Sequence, residues 1–401
     1  MNLQKEQLGI NNNMKFTIFS GFYNNEKYIE QIKSAILNQT HKDWEWLIAD
    51  DFSDCSECVE KALKKLEASH PNIKFVKPRW KFEFYFNPPV EYSTGEVMIV
   101  LDVDDLPHPK LLEIYNRHYE MYPEVEMISC ASQCRNDGVD GKLAWAKITN
   151  FNGLFNYNDA TNDPEKHVWR SLGDARSYRI RTRRKNEFAF ENEYLYTYCE
   201  DLIKTYNVEL RGGKVLYLPR ILYTYTQRSS SSISYRNYPM DVIKNQILER
   251  EGLPKHIQGN FGEVNSIDHR YSIDNHEILN AIAFSDLSFA SKRYKLAIFT
   301  SNLSTDTIDK INELYYDHKI VYNPPNPSDV DYLFFIITND EEFKILRQYF
   351  RDWDIKPTQK VIIRVKDEDV NEVKDIVGPY RWFSFSGFTN YFINLDTKAP
   401  A

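Results

Sequence analysis

The densest group of acidic side chains in this sequence is an Asp-rich turn. Asp102, Asp104 and Asp105 directly follow the apolar run Val97–Leu101. Three carboxylates this close repel one another unless a cation or several hydrogen-bond donors compensate their charge. Carboxylate oxygens are ligands that Mg²⁺ or Mn²⁺ prefers, often together with phosphate oxygens. The turn therefore indicates either a cation–phosphate site or a solvated acidic turn that caps the helix predicted over His108–Tyr122.

Two further acidic pairs have spacings that chemistry could use. Asp50 and Asp51 stand at the end of a predicted strand, whereas Glu200 and Asp201 lie inside a helix predicted over Glu193–Tyr206. A carboxylate near a cation site can act as a general base. The alternatives are a strand-end turn for the first pair and an ordinary helix face for the second.

Strands alternate with helices around these acidic residues. Apolar positions with helical spacing predict a helix shortly after Asn24, for which Asn24 is the expected cap. Strand–helix alternation predicts a mainly parallel, doubly wound sheet, which binds ligands beyond the carboxyl ends of its strands. The acidic turns should therefore lie on one rim. A polar loop is predicted over Arg220–Ser234. The predicted strands are Phe16–Ser20, Trp44–Ala49, Ile73–Val76, Val97–Leu101 and Val215–Leu218.

A second strand–helix alternation begins near Lys295. It predicts a separate small α/β domain, in which Ser304 or Thr305 caps a helix. This region carries no chemical motif, and four roles stay open for it: binding the acceptor, docking a partner, binding a membrane, or self-association.

The composition excludes several classes of protein. The 401 residues are 42% hydrophobic and 27% charged, with 27 Tyr and 24 Phe, which excludes a disordered or collagen-like chain. The longest apolar runs are far shorter than the ~18–20 residues that cross a bilayer. The formal charge of −8 argues against nucleic acid as the main partner. We expect a cytoplasmic protein, or one peripheral to a membrane.

The cysteines indicate a reducing compartment. Five cysteines in a chain of this length do not form a disulfide scaffold. Cys55 and Cys58 have the spacing of a metal or redox pair, but no second such pair follows. We expect two reduced structural thiols.

The order of these motifs resembles that of family 2 glycosyltransferases. The similarity extends over about residues 14–235 and does not reach the C-terminal region. Five blocks in order carry it: Gly21–Tyr28, Ile36–Thr40, Trp46–Ser53, Thr94–Asp105, and Glu200-Asp201 followed by Tyr217–Pro219, Tyr223–Tyr225 and Ser232–Ser234.

The resemblance implies a GT-A fold, a Rossmann-like and mostly parallel sheet that binds a nucleotide-diphosphate sugar. It implies that Asp104, Asp105 and Asp102 hold Mn²⁺ or Mg²⁺. It also implies that Asp201, with Glu200 beside it, is the base that deprotonates the acceptor with inversion at the anomeric carbon. The residues expected on the donor nucleotide are Tyr23, Asn24, Glu26, Asp51, Asp102 and Arg228.

The pattern of elements and the extent of the resemblance together predict a division of the chain. A disordered leader, residues 1–13, precedes a GT-A domain over 14–238. A helical extension over 239–291 leads to a small α/β domain over 292–401.

An arginine-rich stretch lies between the cation and base motifs. Arg176, Arg179 and Arg181 are expected to contact an anionic acceptor through their guanidinium forks. The alternative is an exposed segment balanced by nearby glutamates.

The function that the sequence indicates is an inverting, metal-dependent transfer of a sugar, in the first place from a UDP-sugar. The acceptor is expected to be a glycan or a lipid-linked saccharide. Two alternatives stay open: a bacteriophage-type transferase that acts on a hydroxylated base in DNA, and a non-catalytic scaffold that binds nucleotide sugars.

Overall fold

The chain divides into two compact units, Met1–His269 and Arg270–Ala401. The computed structural model describes residues 14–78, 90–136, 174–180, 213–227, 267–268, 270–271, 277–285, 287, 292–301, 303–352, 359–377, 381–385 and 388–394. The unit boundary falls within the stretch 239–291, and the four-part division of the chain stays a prediction.

The first unit is a mixed, mostly parallel sheet with helices on it. Its strands are β1 (Phe16–Phe22), β2 (Trp44–Asp50), β3 (Ile73–Phe75), β4 (Val97–Val100), β5 (Leu106–Pro107), β6 (Val125–Asn136), β7 (Asp174–Arg179), β8 (Lys214–Gln227) and β9 (Ile267–Asp268). Its helices are α1 (Ile29–Leu37), α2 (Ser56–Glu67) and α3 (Leu111–Met121). The strand order is β3-β2-β1-β4-β7-β6-β8-β5, with β9 beside β8.

The four strands that begin the sheet are parallel. β1 pairs with β2 on one side and with β4 on the other, so that Phe22 lies beside Asp50 and Phe19 beside Val100. β2 and β3 are added on one side of β1, whereas β4 is added on its other side. The switch point therefore lies between β1 and β4, which is where a doubly wound sheet has its ligand-binding crevice. Gly95, just before β4, packs so closely that a Cβ atom would lie 2.7 Å from Thr17 N.

The second unit contains a separate six-stranded sheet in the order β11-β10-β12-β13-β15-β14. The first four strands in this order are parallel to one another. β15 is antiparallel to both of its neighbours, β13 and β14. The strands are β10 (Lys295–Phe299), β11 (Lys319–Tyr322), β12 (Tyr332–Ile337), β13 (Lys360–Lys366), β14 (Arg381–Phe385) and β15 (Phe388–Asn394). The helices are α4 (Glu277–Phe284), α5 (Thr305–Leu314), α6 (Asp340–Asp352) and α7 (Val370–Val377).

These sheets confirm the predicted fold class, an α/β sheet domain followed by a second, smaller α/β domain. The predicted cap of α5 is also confirmed, because Thr307 N donates a 3.1 Å hydrogen bond to Ser304 Oγ. The strands that were not predicted are β5, β6, β7, β9, β11 and β14. No helix of the described residues is long and apolar enough to cross a membrane.

Two local predictions are wrong. Asn24 does not cap α1, because a 3-10 turn over Glu26–Tyr28 intervenes and Tyr28 directly precedes the helix. The predicted loop at Arg220–Ser234 is a strand up to Gln227, because β8 pairs with β6 along its length.

The expectation of two reduced thiols at Cys55 and Cys58 is also wrong. The two cysteines form a disulfide at the start of α2. The turn into this helix brings their Cα atoms to 5.4 Å, a separation that a disulfide spans. Spacing alone did not reveal this proximity.

Candidate functional site

The predicted donor-binding residues gather at the carboxyl edge of the first sheet. The loop after β1 carries Tyr23 and Asn24, the loop after β2 carries Asp51, and the turn after β4 carries Asp102. Because these three strands are adjacent and parallel, their carboxyl ends share one rim. Glu26 is exposed in the 3-10 turn that leads into α1. The fold therefore brings together the described members of the predicted set.

Hydrogen bonds join the first two loops into one structure. Asn24 Nδ2 donates to Asp54 Oδ2 at 2.9 Å, and Asp54 N donates back to Asn24 Oδ1 at 2.9 Å. Asn24 N also donates to Ser53 Oγ at 2.9 Å. Asp51 N donates to Phe22 O at 2.7 Å, which continues the strand pairing into the loops. Asn24 thus fixes the relative position of Tyr23 and Asp51.

Asp50 and Asp51 have different environments although they are adjacent. Asp50 is buried, and its carboxylate accepts hydrogen bonds from Ser53 N at 3.1 Å and from the Ser56 hydroxyl. Asp51 is partly exposed. The first aspartate therefore holds the loop, and the second is at the surface where a ligand can reach it. The sequence did not separate these two roles.

The Asp-rich turn carries one exposed and two buried carboxylates. Asp102 is exposed, whereas Asp104 is 7% and Asp105 1% exposed. The turn is anchored to β1 because Leu101 N donates to Phe19 O at 3.0 Å and Ser20 Oγ donates to Leu101 O at 2.7 Å. Aspartate is seldom this deeply buried without a partner, so the two buried carboxylates need compensation.

Strand β8 supplies most of the hydrogen bonds that shape this turn. Asp102 N donates to the phenol oxygen of Tyr223 at 3.2 Å. Thr226 N donates to Asp105 Oδ1 at 2.6 Å, and the Thr226 hydroxyl donates to Asp104 O. Gln31 Nε2, from α1, donates to the same carbonyl at 3.3 Å. Tyr223 and Thr226 are thus positioning residues for the acidic turn.

Tyr223 belongs to a motif of the sequence, but no sequence pattern predicted that Tyr223 or Thr226 would position the acidic turn. Both residues are more than 120 positions away from the turn along the chain, and hydrophobic periodicity carries no information on contacts between such distant residues.

The electrostatic environment of Asp105 opposes its ionisation. Burial raises the pKa of this carboxyl well above its ordinary value, and the neighbouring charges of Asp104 and Asp102 raise it further. Burial also raises the pKa of the Tyr223 phenol, with the charges of Asp105 and Asp102 adding to the effect. Hydrogen bonds from Thr226 N and the Tyr223 phenol lower the pKa of Asp105, but they do not outweigh burial and the two neighbouring charges.

The carboxylates of this turn are candidate ligands for a cation. Within the described residues, no three His, Cys, Asp or Glu side chains are arranged as a ready-made ligand set. However, Asp105 Oδ2 is buried and has no partner of normal hydrogen-bond geometry in the part of the chain that the structure describes, although the nearby Tyr223 phenol lowers the pKa of this carboxyl. Mg²⁺ typically uses one or two carboxylates and takes its remaining ligands from water and substrate phosphates. The turn fits a cation that arrives with a phosphate ligand better than a permanently caged one.

The arginines of the predicted acceptor surface have different positions. Arg176 lies in β7, and Arg181 is outside the described residues. Arg179 is 8% exposed, and its guanidinium donates to Val125 O at 2.7 Å and Tyr119 O at 3.0 Å. It also lies 4.7 Å from the centre of the Tyr119 ring. Arg179 therefore braces the interior of the first unit through these two carbonyl groups.

Three other predicted site residues, Glu200, Asp201 and Arg228, are outside the described residues.

Comparison with known proteins identifies this part of the chain. Residues 17–168 match the model of glycosyl transferase family 2, which confirms the resemblance predicted from the motifs and identifies a glycosyltransferase domain. A curated relative from Bacillus subtilis (strain 168), "Putative glycosyltransferase EpsE", is 27% identical over 121 residues. That alignment covers 28% of this chain and 43% of the relative, so this chain spans less than half of the relative's length.

Two solved structures bound to nucleotide sugars resemble the chain at low sequence identity. TarS 1-349 from S. aureus, in complex with UDP-GlcNAc, is 15% identical with a TM-score of 0.43, covering 94% of this chain and 96% of that chain. The mannosyltransferase PcManGT from Pyrobaculum calidifontis, in complex with GDP-Man and Mn²⁺, is 14% identical with a TM-score of 0.38. It covers 59% of this chain and 62% of its own.

Proposed function

We propose that this chain, with its glycosyl transferase family 2 domain, transfers a sugar from a nucleotide-diphosphate donor to an acceptor hydroxyl with inversion. The observation that carries the proposal is the acidic turn at the crevice between β1 and β4. One exposed and two buried carboxylates lie there, and among the described residues Asp105 Oδ2 has no hydrogen-bond partner. A divalent cation bound to the donor's diphosphate would bring positive charge to this turn.

Different loops at the rim would contact different parts of the donor. Tyr23 would contact the base, and Asp51 would accept a hydrogen bond from it, because the two lie in neighbouring loops that Asn24 joins. Asp102, exposed at the start of the turn, would bind the ribose and the cation. Arg228, one residue beyond β8, would serve the leaving diphosphate. A UDP-sugar is the first choice of donor.

Asp104, Asp105 and Asp102 would hold Mn²⁺ or Mg²⁺, which offsets the charge that develops on the leaving diphosphate. The chain's own residues keep the turn in shape: Tyr223 and Thr226 fix its backbone, and Gln31 supports the Asp104 carbonyl. Asp201 would take the proton from the acceptor hydroxyl, with Glu200 beside it, on the face opposite the leaving group.

The proposed acceptor is a glycan or a lipid-linked saccharide, with Arg176 and Arg181 as the anion-binding residues. A hydroxylated base in DNA is the alternative, for which the arginine-rich stretch is the supporting observation. Retention on DNA that falls steeply with salt would favour this alternative.

A thermal-shift panel with UDP-, GDP-, CDP- and dTDP-sugars, each with and without Mn²⁺, tests the donor proposal. A ligand that binds the native state raises the melting temperature. We expect a shift with one nucleotide class that requires metal and is lost in Asp104→Asn. The matched control is Asp306→Asn, which changes an exposed aspartate of the second unit. No shift with any donor would contradict the proposal.

The anomeric configuration of the product tests the mechanism separately. NMR of the transferred sugar should show inversion relative to the donor, and Asp201→Asn should abolish transfer while donor binding persists. Retention of configuration would refute the single-displacement mechanism and leave the donor proposal standing.

A further inference from the structure

The side chain of Phe52 is unusually exposed for its type. Among the described residues, the two exposed large hydrophobic side chains are Phe52, at 43%, and Tyr92, at 46%. Phe52 stands between Asp51 and the buried Ser53 in the loop after β2. Tyr92 instead lies before β4, on the amino side of the strand. Of the two exposed rings, only Phe52 therefore follows the carboxyl end of a strand in the proposed site.

The backbone of Phe52 adopts a conformation that is costly for a bulky residue. Its φ is 61°, in the left-handed region. The other described non-glycine residues with positive φ are Asn24 and Asn323, and asparagine tolerates this region far better. Glycine or asparagine at position 52 would fit the same loop without the strain.

The surrounding hydrogen bonds hold Phe52 in this conformation. On one side, Asp51 N donates to Phe22 O at 2.7 Å. On the other side, Ser53 N donates to the buried Asp50 carboxylate, and Ser53 Oγ accepts from Asn24 N. The loop thus holds Phe52 in a backbone conformation that phenylalanine disfavours. It also keeps at the surface an aromatic ring that would otherwise be buried. Strain that the neighbouring structure enforces is concentrated at functional sites.

We propose that Phe52 is a stacking platform for the base of the nucleoside-diphosphate donor. The inference rests on the proposed function, because it places Phe52 in the same site as Tyr23 and Asp51. An aromatic ring stacks on the face of any base and does not read its hydrogen-bonding edge. Phe52 therefore contributes affinity for the nucleotide, while discrimination among bases belongs to polar groups such as Asp51.

Substitutions that separate the ring from the backbone strain test this inference in the full chain. Phe52→Asn removes the ring and relieves the strain, whereas Phe52→Tyr keeps both. Titration calorimetry with UDP and GDP, each with Mn²⁺, should give a Kd for F52N about tenfold higher than for the wild type. The factor should be similar for each nucleotide that the wild type binds. F52Y should bind like the wild type, and so should Tyr92→Asn, the matched control.

Thermal melting without ligand gives an independent readout, because F52N should melt at a higher temperature than the wild type. A melting temperature of F52N below that of the wild type would contradict the inference, because the left-handed backbone at Phe52 would then not be strained. An unchanged Kd in F52N, with a wild type that binds nucleotide, would overturn the platform alone. A wild type that binds no nucleotide would overturn the proposed function itself.

Discussion

Glu45→Gln is expected to weaken the first unit in a manner that depends on pH. Glu45 lies in β2 with its side chain 3% exposed. Its carboxylate accepts hydrogen bonds from the Thr17 hydroxyl at 2.8 Å, the Thr94 hydroxyl at 2.8 Å, and Thr94 N. Lys74 Nζ lies 2.9 Å away. The residue thus joins β1, β2, β3 and the segment before β4, the strands whose opposite ends form the site.

The magnitude follows from the pKa of this carboxyl. Burial alone would raise the pKa of Glu45, but the hydrogen bonds from Thr94, Lys74 and Thr17 outweigh burial and lower it to about 2. Relative to 4.5, this shift corresponds to about 3 kcal/mol of stability at neutral pH. Because the folded pKa is depressed, the contribution is present above the unfolded pKa and is lost as pH falls towards 2. By pH 3.5 roughly 1.4 kcal/mol should be gone.

Urea unfolding of the wild type and Glu45→Gln at pH 7 and pH 3.5 measures this effect. The free energy gap between the two proteins should shrink by about 1.4 kcal/mol at the lower pH, because only the wild type titrates. Any mismatch of the Gln amide with its neighbours adds a pH-independent offset. Glu341→Gln, an exposed glutamate, is the control and should change stability by less than about 0.5 kcal/mol. A gap that stays constant would refute the assigned environment of Glu45.

Three further perturbations test the other structural assignments. Asp105→Asn should change stability at neutral pH by no more than about 1 kcal/mol, because burial and the charges of Asp104 and Asp102 already oppose ionisation of this carboxyl and the amide oxygen can still accept from Thr226 N. It should weaken Mn²⁺-dependent donor binding, because an amide is a poorer cation ligand than a carboxylate; chemical denaturation and calorimetry would show both, and unchanged donor binding would count against the cation site. Replacing both Cys55 and Cys58 with Ser should cost about 2 kcal/mol, the chain-entropy value for so short a loop. Melting under oxidising conditions checks this, and a variant as stable as the oxidised wild type would show that the disulfide contributes nothing. Glu342→Gln should destabilise the second unit by about 3 kcal/mol, because its buried carboxylate accepts from the backbone and hydroxyl groups of Ser301 and Thr338; urea unfolding monitored by hydrogen exchange in β12 would reveal it, and undiminished protection would contradict it.

The local sequence pattern was sufficient to predict the strands and helices that are regular and apolar. The run Val97–Leu101 became β4 with one residue fewer, and the strand predicted over Trp44–Ala49 became β2 with one residue more. Burial of one face or of a whole strand leaves a periodic signature in the sequence, so these elements could be predicted. The second half of β8 was predicted as a loop although it contains the buried residues Ile221, Leu222 and Tyr223, and its pairing with the distant strand β6 makes it part of the sheet.

The sequence by itself determined which residue types could bind a donor and, through their order, the family that they resemble. It also placed Asp51 and Asp102 at strand ends, which the parallel sheet then brings to one rim. Only the tertiary structure decided how neighbouring residues divide their roles. Asp50 supports a loop while Asp51 reaches the surface, and Arg179 is buried among carbonyl groups. The physical reason is that burial and hydrogen bonding depend on contacts between distant positions, such as Thr226 with Asp105, and local sequence spacing does not encode these contacts.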